Sequence, residues 1–288
     1  MEQIKNNSIT LVRYGELALK STPVRRRFED ILVSNIRAGL RSVGLDYKVR
    51  KDFGRIFIEG YNKKMEPLMK RVFGIVSFSH CLKIETDLKK IKKECLRLAE
   101  KIKGKETFAV RCHRVGQHDF TSQDIERSVG AEVVKKFGLK VNLSKPDKTV
   151  HIEIRGDRTY VFSEVVPCAG GLPVGTAGKV ACVIKDFNGV IAAWFFIKRG
   201  CCVVPITKSK KYLGALERWY VGRKLKPCAA KTSKELEEAI HKTRSEAVVT
   251  GETLSDFKET KLDIPVFRPL VGFDRKYLLR LRRIIENG

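Results

Sequence analysis

The segment Val180–Ile206, VACVIKDFNGVIAAWFFIKRGCCVVPI, decides the fold of the C-terminal part of this chain. Val180–Ile184 is a short apolar run typical of a buried strand, and Cys202–Ile206 is a second one. Between them, Val190–Arg199 has the pattern of a buried helix. A strand, a helix and a strand at this spacing form a βαβ unit, whose strands lie parallel in one sheet. The segment therefore predicts an α/β fold.

A glycine-rich segment, Ala169–Gly178, precedes this unit and predicts a joint between domains. The C-terminal domain is therefore predicted to span residues 168–288. Its remaining predicted elements are a helix capped by Ser233, two strands and a final helix: Ser233–Thr243, Ala247–Val249, Val266–Leu270 and Asp274–Ile285.

Two smaller α/β modules are predicted upstream, over residues 1–72 and 73–167. The first has a helix capped by Thr22, and its elements in order are Ile9–Arg13, Pro23–Val43, Tyr47–Lys51, Arg55–Glu59 and Lys63–Val72. The second has a helix capped by Thr121 or Ser122 and ends in a hairpin, and its elements are Val76–Glu85, Leu88–Ile102, Thr107–Cys112, Ser122–Phe137, Val150–Ile154 and Thr159–Glu164.

The charge of the chain points to a polyanionic partner. Its 58 Lys and Arg residues against 33 Asp and Glu residues give a formal net charge of +25, spread along the whole length. RNA phosphates are the first candidate partner and an anionic membrane surface is the second. A lysine-rich solubilising surface is the alternative, although such surfaces usually balance lysine with glutamate.

Neither a secretory signal nor a membrane span is visible. Met1–Asn7 is polar, and the most apolar stretch, Val190–Ile197, is far too short to cross a bilayer. We therefore expect a cytoplasmic protein without a membrane partner. The eight cysteines form no CxxC pair and none has a histidine at zinc-ligand spacing, so they are interpreted as buried small hydrophobic residues and no metal site is predicted.

Three stretches of the chain resemble the tRNA 4-thiouridine synthetases, which are tRNA sulfurtransferases. They are Arg13–Lys20 (RYGELALK), Gly170–Lys179 (GGLPVGTAGK), and Val249–Leu254 (VTGETL) with Arg268–Asp274 (RPLVGFD). The resemblance implies a ferredoxin-like N-terminal domain, then a THUMP domain, then a Rossmann-like, doubly wound ATP-pyrophosphatase domain. It also implies tRNA as the partner, held at its acceptor end by the THUMP domain.

The family's catalytic domain opens with a Ser-Gly-Gly-x-Asp-Ser loop, whose small residues let backbone N–H groups approach the phosphates of ATP. Here the corresponding loop contains Lys185, Asp186, Asn188 and Gly189, and both central glycines are absent. Asp186 adds a negative charge beside the phosphate position, and Phe187 is bulky. We therefore predict that the nucleotide site is lost and that no cofactor is bound.

Some relatives use a cysteine in the later half of the chain as a sulfur carrier. Cys228 is the only cysteine near that position, and basic neighbours would lower a thiol pKa there. The alternative is a partly buried structural cysteine. A working sulfurtransferase that uses ATP and Mg²⁺ through an altered loop, with Cys228 as sulfur acceptor, is the second hypothesis.

Candidate RNA contacts come from three basic segments. Arg111, His113 and Arg114, at and beyond the end of the strand Thr107–Cys112, with Arg127 on the next helix, suit phosphates and sugars. Phe120 and His113 are candidate stacking platforms for bases. A second group at a helix start comprises Lys20, Arg25, Arg26 and Arg27.

A third basic tract, residues 208–226, interleaves Tyr212, Trp219 and Tyr220 with lysines and arginines. It suits nucleic-acid binding with stacking support, or equally an amphipathic helix with Trp219 in the core.

The favoured hypothesis is a tRNA-binding protein without ATP-pyrophosphatase activity, which presents tRNA to a separate modifying enzyme. The third hypothesis is a scaffold or anionic-surface protein unrelated to RNA.

Overall fold

The computed structural model describes residues 7–52, 54–230, 232–257 and 262–288. The chain forms two compact units, and each is assembled from separate stretches. The first comprises Met1–Val12, Arg50–Tyr61 and Phe78–Val166, and the second comprises Arg13–Val49, Asn62–Ser77 and Pro167–Gly288. The helices of the N-terminal module therefore group with the C-terminal residues.

A nine-stranded mixed sheet contains the strands of the N-terminal half. They are β1 (Ser8–Tyr14), β2 (Val49–Asp52), β3 (Arg55–Ile58), β4 (Ile75–Glu85), β5 (Thr107–Val115), β6 (Lys140–Val141), β7 (Lys148–Arg155), β8 (Arg158–Phe162) and β9 (Val166–Pro167). The order is β2-β3-β1-β4-β8-β7-β5-β6, with β9 paired to β4. β5 runs parallel to β7, which places Arg111 opposite His151 and His113 opposite Glu153.

Two helices of the first unit, α3 (Leu88–Ala99) and α4 (Ser122–Phe137), cover one face of this sheet. Ile91 and Cys95 of α3 and Val129 of α4 form a core cluster with Val110 and Ile152 of the sheet. Thr121 and Asp124 form a capping box at the start of α4, in which each side chain bonds the other's backbone N–H.

The second unit contains a four-stranded sheet of β10 (Lys179–Val183), β11 (Cys202–Ile206), β12 (Ala247–Val249) and β13 (Val266–Phe267). Its helices are α1 (Thr22–Ser42), α2 (Met65–Arg71), α5 (Phe187–Lys198), α6 (Leu213–Glu217), α7 (Ser233–Thr243) and α8 (Arg275–Asn287). Short 3₁₀ turns cover Glu16–Leu19 and Lys210–Tyr212. The strand order is β11-β10-β12-β13, and all neighbours are parallel.

Helices cover both faces of the parallel sheet, so the predicted doubly wound arrangement is confirmed. Val180 and Cys182 face a core that contains Ile191 of α5 and Leu281 of α8. Ala181, between them in the strand, faces the opposite core with Ile240 of α7. The order of connection reverses between β10 and β12, and the carboxyl ends of these two strands flank the crevice where such sheets usually bind ligands.

Several predicted boundaries are wrong by a few residues. β5 extends to Val115, α5 begins at Phe187, and β13 ends at Phe267. Ser21, not Thr22, is the cap residue of α1 and makes no side-chain capping bond, whereas Thr232, not Ser233, caps α7. Within the described residues, no helix is both long and apolar enough to span a membrane.

Candidate functional site

The crevice between β10 and β12 is occupied by the chain's own carboxylate. Asp186 is the cap residue of α5, and its Oδ1 accepts a hydrogen bond from the Gly189 N–H at 3.1 Å. Free N–H groups at a helix start, together with the helix dipole, make up an anion site. Asp186 therefore takes a position that a phosphate would need.

Close backbone contact narrows the same crevice. Gly251 follows β12 and lies against Asn188 and Gly189. The backbones are so close that a Cβ added to Gly251 would stand 2.5 Å from the Asn188 carbonyl carbon. Gly189 is equally enclosed, since its own added Cβ would stand 2.7 Å from the Val183 oxygen. The two glycines permit this packing because any side chain on either would collide with backbone.

The predicted nucleotide-loop residues divide between loop and helix. Lys185 and Asp186 are exposed and connect β10 to α5, whereas Asn188 and Gly189 form the first turn of α5. The Phe187 ring is buried, and the Arg282 guanidinium lies 4.7 Å from its centre. An aromatic ring and a carboxylate thus lie in the segment that corresponds to the small-residue loop of the resembling family.

A half-buried ion pair lies beside the crevice. Arg268 Nε donates to Glu252 Oε2 at 2.6 Å, and the Thr250 hydroxyl donates to the same oxygen at 3.3 Å. The resembling stretches VTGETL and RPLVGFD therefore meet through this pair.

Cys228 lies at the same carboxyl edge of the sheet. Its N–H donates to the Pro205 oxygen at 2.9 Å, and its oxygen accepts from the Thr207 N–H at 3.0 Å, so it forms a parallel bridge beside the end of β11. Its side chain is half-buried against the core on the α7 side of the sheet.

Among the other cysteines, the prediction of burial is confirmed for Cys81, Cys95, Cys182 and Cys201. Burial raises the pKa of the Cys201 thiol to about 11. Burial likewise raises the pKa of the half-buried Cys168 to about 12. These thiols are therefore protonated and unreactive at neutral pH.

In the first unit, the predicted RNA-binding residues lie on two faces of β5. Because β5 continues to Val115, the prediction of a loop after Cys112 is wrong, and Arg111, His113 and Arg114 belong to the strand. Side chains alternate along a strand. Arg111 and His113 are exposed on the face away from α3 and α4, whereas Arg114 lies on the helix face beside Cys112.

On the helix face, Arg114 begins a small polar cluster. Its Nη1 donates to the Gly116 oxygen at 3.1 Å and lies 3.3 Å from His118 Nδ1. His118 Nε2 lies 2.8 Å from the Gly156 oxygen, and its ring is tilted against Phe120 at 5.2 Å. The candidate platform Phe120 thus belongs to this cluster, and His113 does not.

The first turns of α4 form hydrogen bonds with Cys112 of β5, next to this cluster. Glu126 accepts the Cys112 N–H at 2.7 Å, and the Cys112 thiol is hydrogen-bonded to Ser122. Burial, the largest cause, raises the pKa of that thiol to about 11. Arg127 is exposed in the second turn of α4.

The second predicted group belongs to the other unit. Lys20, Arg26 and Arg27 are exposed, and Arg25 pairs with Glu29 at 3.8 Å. Glu29 also accepts a 2.5 Å hydrogen bond from the Tyr14 hydroxyl. The start of α1 thus bears a basic surface with one internal ion pair.

The basic tract of residues 208–226 does not present all its aromatic rings to a ligand. Trp219 and Tyr220 are buried, with Trp219 Nε1 donating to the Ile285 oxygen at 3.1 Å. Burial raises the pKa of Tyr220 to about 12. The alternative of Trp219 in the core is confirmed, although the helix there, α6, is only one turn long.

Sequence reasoning missed a buried ionic cluster on the sheet of the first unit. Glu153 and Arg155 are both buried, and Glu153 Oε1 accepts from Arg155 Nε at 2.7 Å and from Arg55 Nε at 2.9 Å. Alternation of charged and apolar residues in β7 resembles a solvated face, so the pattern alone gave no sign of this burial.

Comparison with known proteins gives a consistent result. Residues 9–79 match the family model described as the ThiI ferredoxin-like domain, and residues 85–164 match the THUMP domain. A Methanobrevibacter smithii protein named "Probable tRNA sulfurtransferase" is 32% identical over 98% of this chain and 86% of its own length. A Methanosarcina mazei protein of the same name is 31% identical over 98% and 83%.

Two solved structures share the fold over nearly the whole chain. A Pyrococcus horikoshii protein is 28% identical, with a TM-score of 0.85 over 96% of this chain and 99% of that one. A 4-thiouridine synthetase crystallised with RNA and bound ATP is 25% identical, with a TM-score of 0.80 over 96% and 84%. With these matches along its length, the chain belongs to the tRNA sulfurtransferase family, also known as the 4-thiouridine synthetases.

Proposed function

We propose that this protein binds tRNA through its THUMP region, holds the acceptor end, and has no ATP-pyrophosphatase activity. The family membership supports the substrate class, since relatives are named for tRNA sulfur transfer and one was solved with RNA. The net charge of +25 supplies the attraction for a polyanion.

RNA contact in the first unit is supported by two surfaces around β5. The Arg114–His118–Phe120 cluster offers hydrogen-bond donors and a ring near the start of α4, and Arg127 adds an exposed positive charge in the second turn of that helix. Arg111 and His113 offer a second surface on the other face of the strand. Single-stranded RNA ends are recognised by this combination of stacking and hydrogen bonding.

The main support for the proposed loss of the nucleotide site is the hydrogen bond from the Gly189 N–H to the Asp186 carboxylate. A triphosphate would have to displace this carboxylate and tolerate its charge within a few ångströms. Like charges at such distances repel, although water weakens the repulsion because Asp186 is exposed. The contact between Gly189 and Gly251 leaves no space to move the ligand deeper.

A protein that binds tRNA without activating it with ATP must act with another catalyst. We therefore propose that it presents tRNA to a separate modifying enzyme.

The test is calorimetric titration of the protein with ATP and Mg²⁺, with and without tRNA. We expect no saturable heat for ATP in either case, together with tRNA binding in the micromolar range or tighter. Saturable ATP binding that changes in Asp186→Ala would overturn the loss of the site. Equal affinity for tRNA and for duplex DNA at moderate salt would favour the scaffold hypothesis.

The RNA surface has its own matched pair of variants. Arg127 and Lys135 are exposed cations on α4, about 12 Å apart along its axis. We expect Arg127→Ala to weaken tRNA binding. The slope of the logarithm of its affinity against the logarithm of salt concentration should fall by about one phosphate contact. Lys135→Ala should bind tRNA as the wild type does. Equal effects of both variants would mean that only the overall charge matters.

The second candidate is an active sulfurtransferase with Cys228 as sulfur acceptor. The parallel bridge of Cys228 beside the end of β11 favours it, because the thiol lies at the sheet edge that also bears Lys185 and Asp186. This function needs ATP and Mg²⁺. The test supplies tRNA, ATP and a persulfide donor, whose outer sulfur passes to the Cys228 thiol and leaves the donor as a thiol. Incorporation of sulfur into tRNA that is lost in Cys228→Ser and kept in Cys202→Ser would establish this function.

A further inference from the structure

A groove of about 780 Å³ lies between α5 and α8 in the second unit, away from the crevice described above. Its walls combine large aromatic rings with cations. The rings are those of Trp194, Phe195, Phe196, Trp219, Phe273 and Tyr277. Of the predicted RNA-binding segments, only the tract of residues 208–226 reaches it, through Trp219.

Three of these rings form a continuous stack that opens to solvent. Phe195 and Phe273 are stacked with centroids 5.5 Å apart and planes 13° from parallel. Phe273 and Tyr277 are stacked at 4.8 Å and 21°. Tyr277 ends the stack and is 39% exposed. An exposed ring at the end of a stack is a surface onto which another flat ring adds by the same geometry.

The rim of the groove is positively charged. Lys198, Arg199 and Arg280 line it, against Glu16 as its one acidic member among the described residues. Glu16 lies 3.7 Å from Arg199, which leaves Lys198 and Arg280 without an acidic partner in the part of the chain that is described. Arg280 is one turn beyond Tyr277 on α8, so its charge lies beside the exposed ring.

We propose that this groove binds unpaired nucleotides of RNA, with a base stacked on Tyr277 and the flanking phosphates held by Lys198 and Arg280. Base stacking on aromatic rings within a basic groove is how single strands are commonly held. A second copy of this chain fits less well, because two such basic rims would repel. The proposal rests on the proposed function, since it assigns a second contact to the same tRNA partner.

Both tryptophans of the chain line this groove, so its occupancy can be followed directly. The experiment titrates full-length protein with a single-stranded hexauridylate and, separately, with tRNA, and records tryptophan emission. We expect saturable quenching by both ligands. Tyr277→Ala should weaken hexauridylate binding about tenfold, as expected for the loss of one stacked base.

The control variant is Phe257→Ala, which removes another exposed ring with an arginine, Arg268, 4.8 Å from its centre. It should bind hexauridylate as the wild type does. Arg280→Glu provides a second test that leaves the ring stack intact, and it should weaken binding and reduce its salt dependence. Circular dichroism establishes that each variant is folded.

The outcomes separate this proposal from the broader one. If tRNA does not bind the wild type, the proposed function fails. If tRNA binds, while neither Tyr277→Ala nor Arg280→Glu alters binding of hexauridylate, the groove proposal alone is overturned. A dimer that dissociates in Tyr277→Ala with unchanged RNA affinity would also overturn it, because the groove would then be an interface between copies.

Discussion

Gly251 and Gly189 touch backbone to backbone: a Cβ placed on Gly251 would stand 2.3 Å from the Gly189 nitrogen. The contact ties the end of β12 to the first turn of α5. The first turn of α5, which Asp186 caps, is therefore held against the residue that follows β12.

Gly251→Ala should destabilise the second unit, because the new methyl group meets backbone atoms that cannot rotate away. We expect a loss of about 1–3 kcal/mol in the free energy of unfolding, as for other overpacked sites. Gly272→Ala is the matched control, since nothing lies within 4 Å of its added Cβ. Denaturant unfolding measures both, and equal stability of the two variants would contradict the contact.

Asp186→Ala should also lower stability, because the Gly189 N–H loses its acceptor. Loss of a cap residue typically costs about 1 kcal/mol. Asp186→Asn keeps a capping oxygen and should lie close to the wild type. The thermal midpoints of the three proteins test this, and a midpoint for Asp186→Ala above that of the wild type would show that the carboxylate is held there for another purpose.

Glu153→Ala should be among the most damaging single substitutions in the first unit. It leaves Arg155, itself only 3% exposed, without the carboxylate that accepts its Nε at 2.7 Å. Removing one member of a buried pair typically costs about 3–5 kcal/mol. Glu85→Ala breaks the exposed pair with Lys90 and should cost much less stability, because water screens exposed ion pairs. Urea unfolding measures both losses of stability. Equal losses in Glu153→Ala and Glu85→Ala would contradict the burial of the Glu153–Arg155 pair.

Acid should weaken two sets of hydrogen bonds in the first unit, those of Asp124 with Thr121 and those of Asp147 with Thr107. Hydrogen bonds from the Thr121 hydroxyl and N–H lower the pKa of Asp124 below 3.8, and Thr107 lowers the pKa of Asp147 in the same way. A lowered pKa in the folded state means that the stabilisation is complete above the unfolded pKa, near 3.9. It is then lost as the pH falls through the folded pKa. Carboxyl-carbon NMR titration should give both pKa values below 3.8, and Thr121→Ala and Thr107→Ala should raise the pKa of Asp124 and Asp147 respectively.

The order of elements was predictable because each long helix and strand has a clear hydrophobic period. The periodicity does not state where β5 ends, however. Arg111, His113 and Arg114 look like a loop because they are polar, yet pairing with β7 keeps them in the strand. Because side chains alternate between the two faces of a strand, His113 lies on the opposite face of β5 from Arg114. Closeness in sequence gave no sign that His113 is separated from the cluster of Arg114 and His118.

The loss of small residues near Asp186 was visible in the sequence, but the use of that carboxylate as a helix cap was not. It depends on α5 beginning at Phe187, three residues earlier than the apolar run predicts. The groove beside α8 was likewise hidden, since Phe195, Phe273 and Tyr277 come from distant segments that only the folded unit brings together.

The two tryptophans, at positions 194 and 219, both belong to the second unit, and Trp194 meets Trp219 edge-on at 5.5 Å. The first unit has none. Heating followed by indole emission would therefore record the melting of one unit only, and a single clean transition would say nothing about the other. Far-ultraviolet circular dichroism senses both, so any difference between the two curves measures how independently the RNA-binding half and the sulfurtransferase-like half unfold.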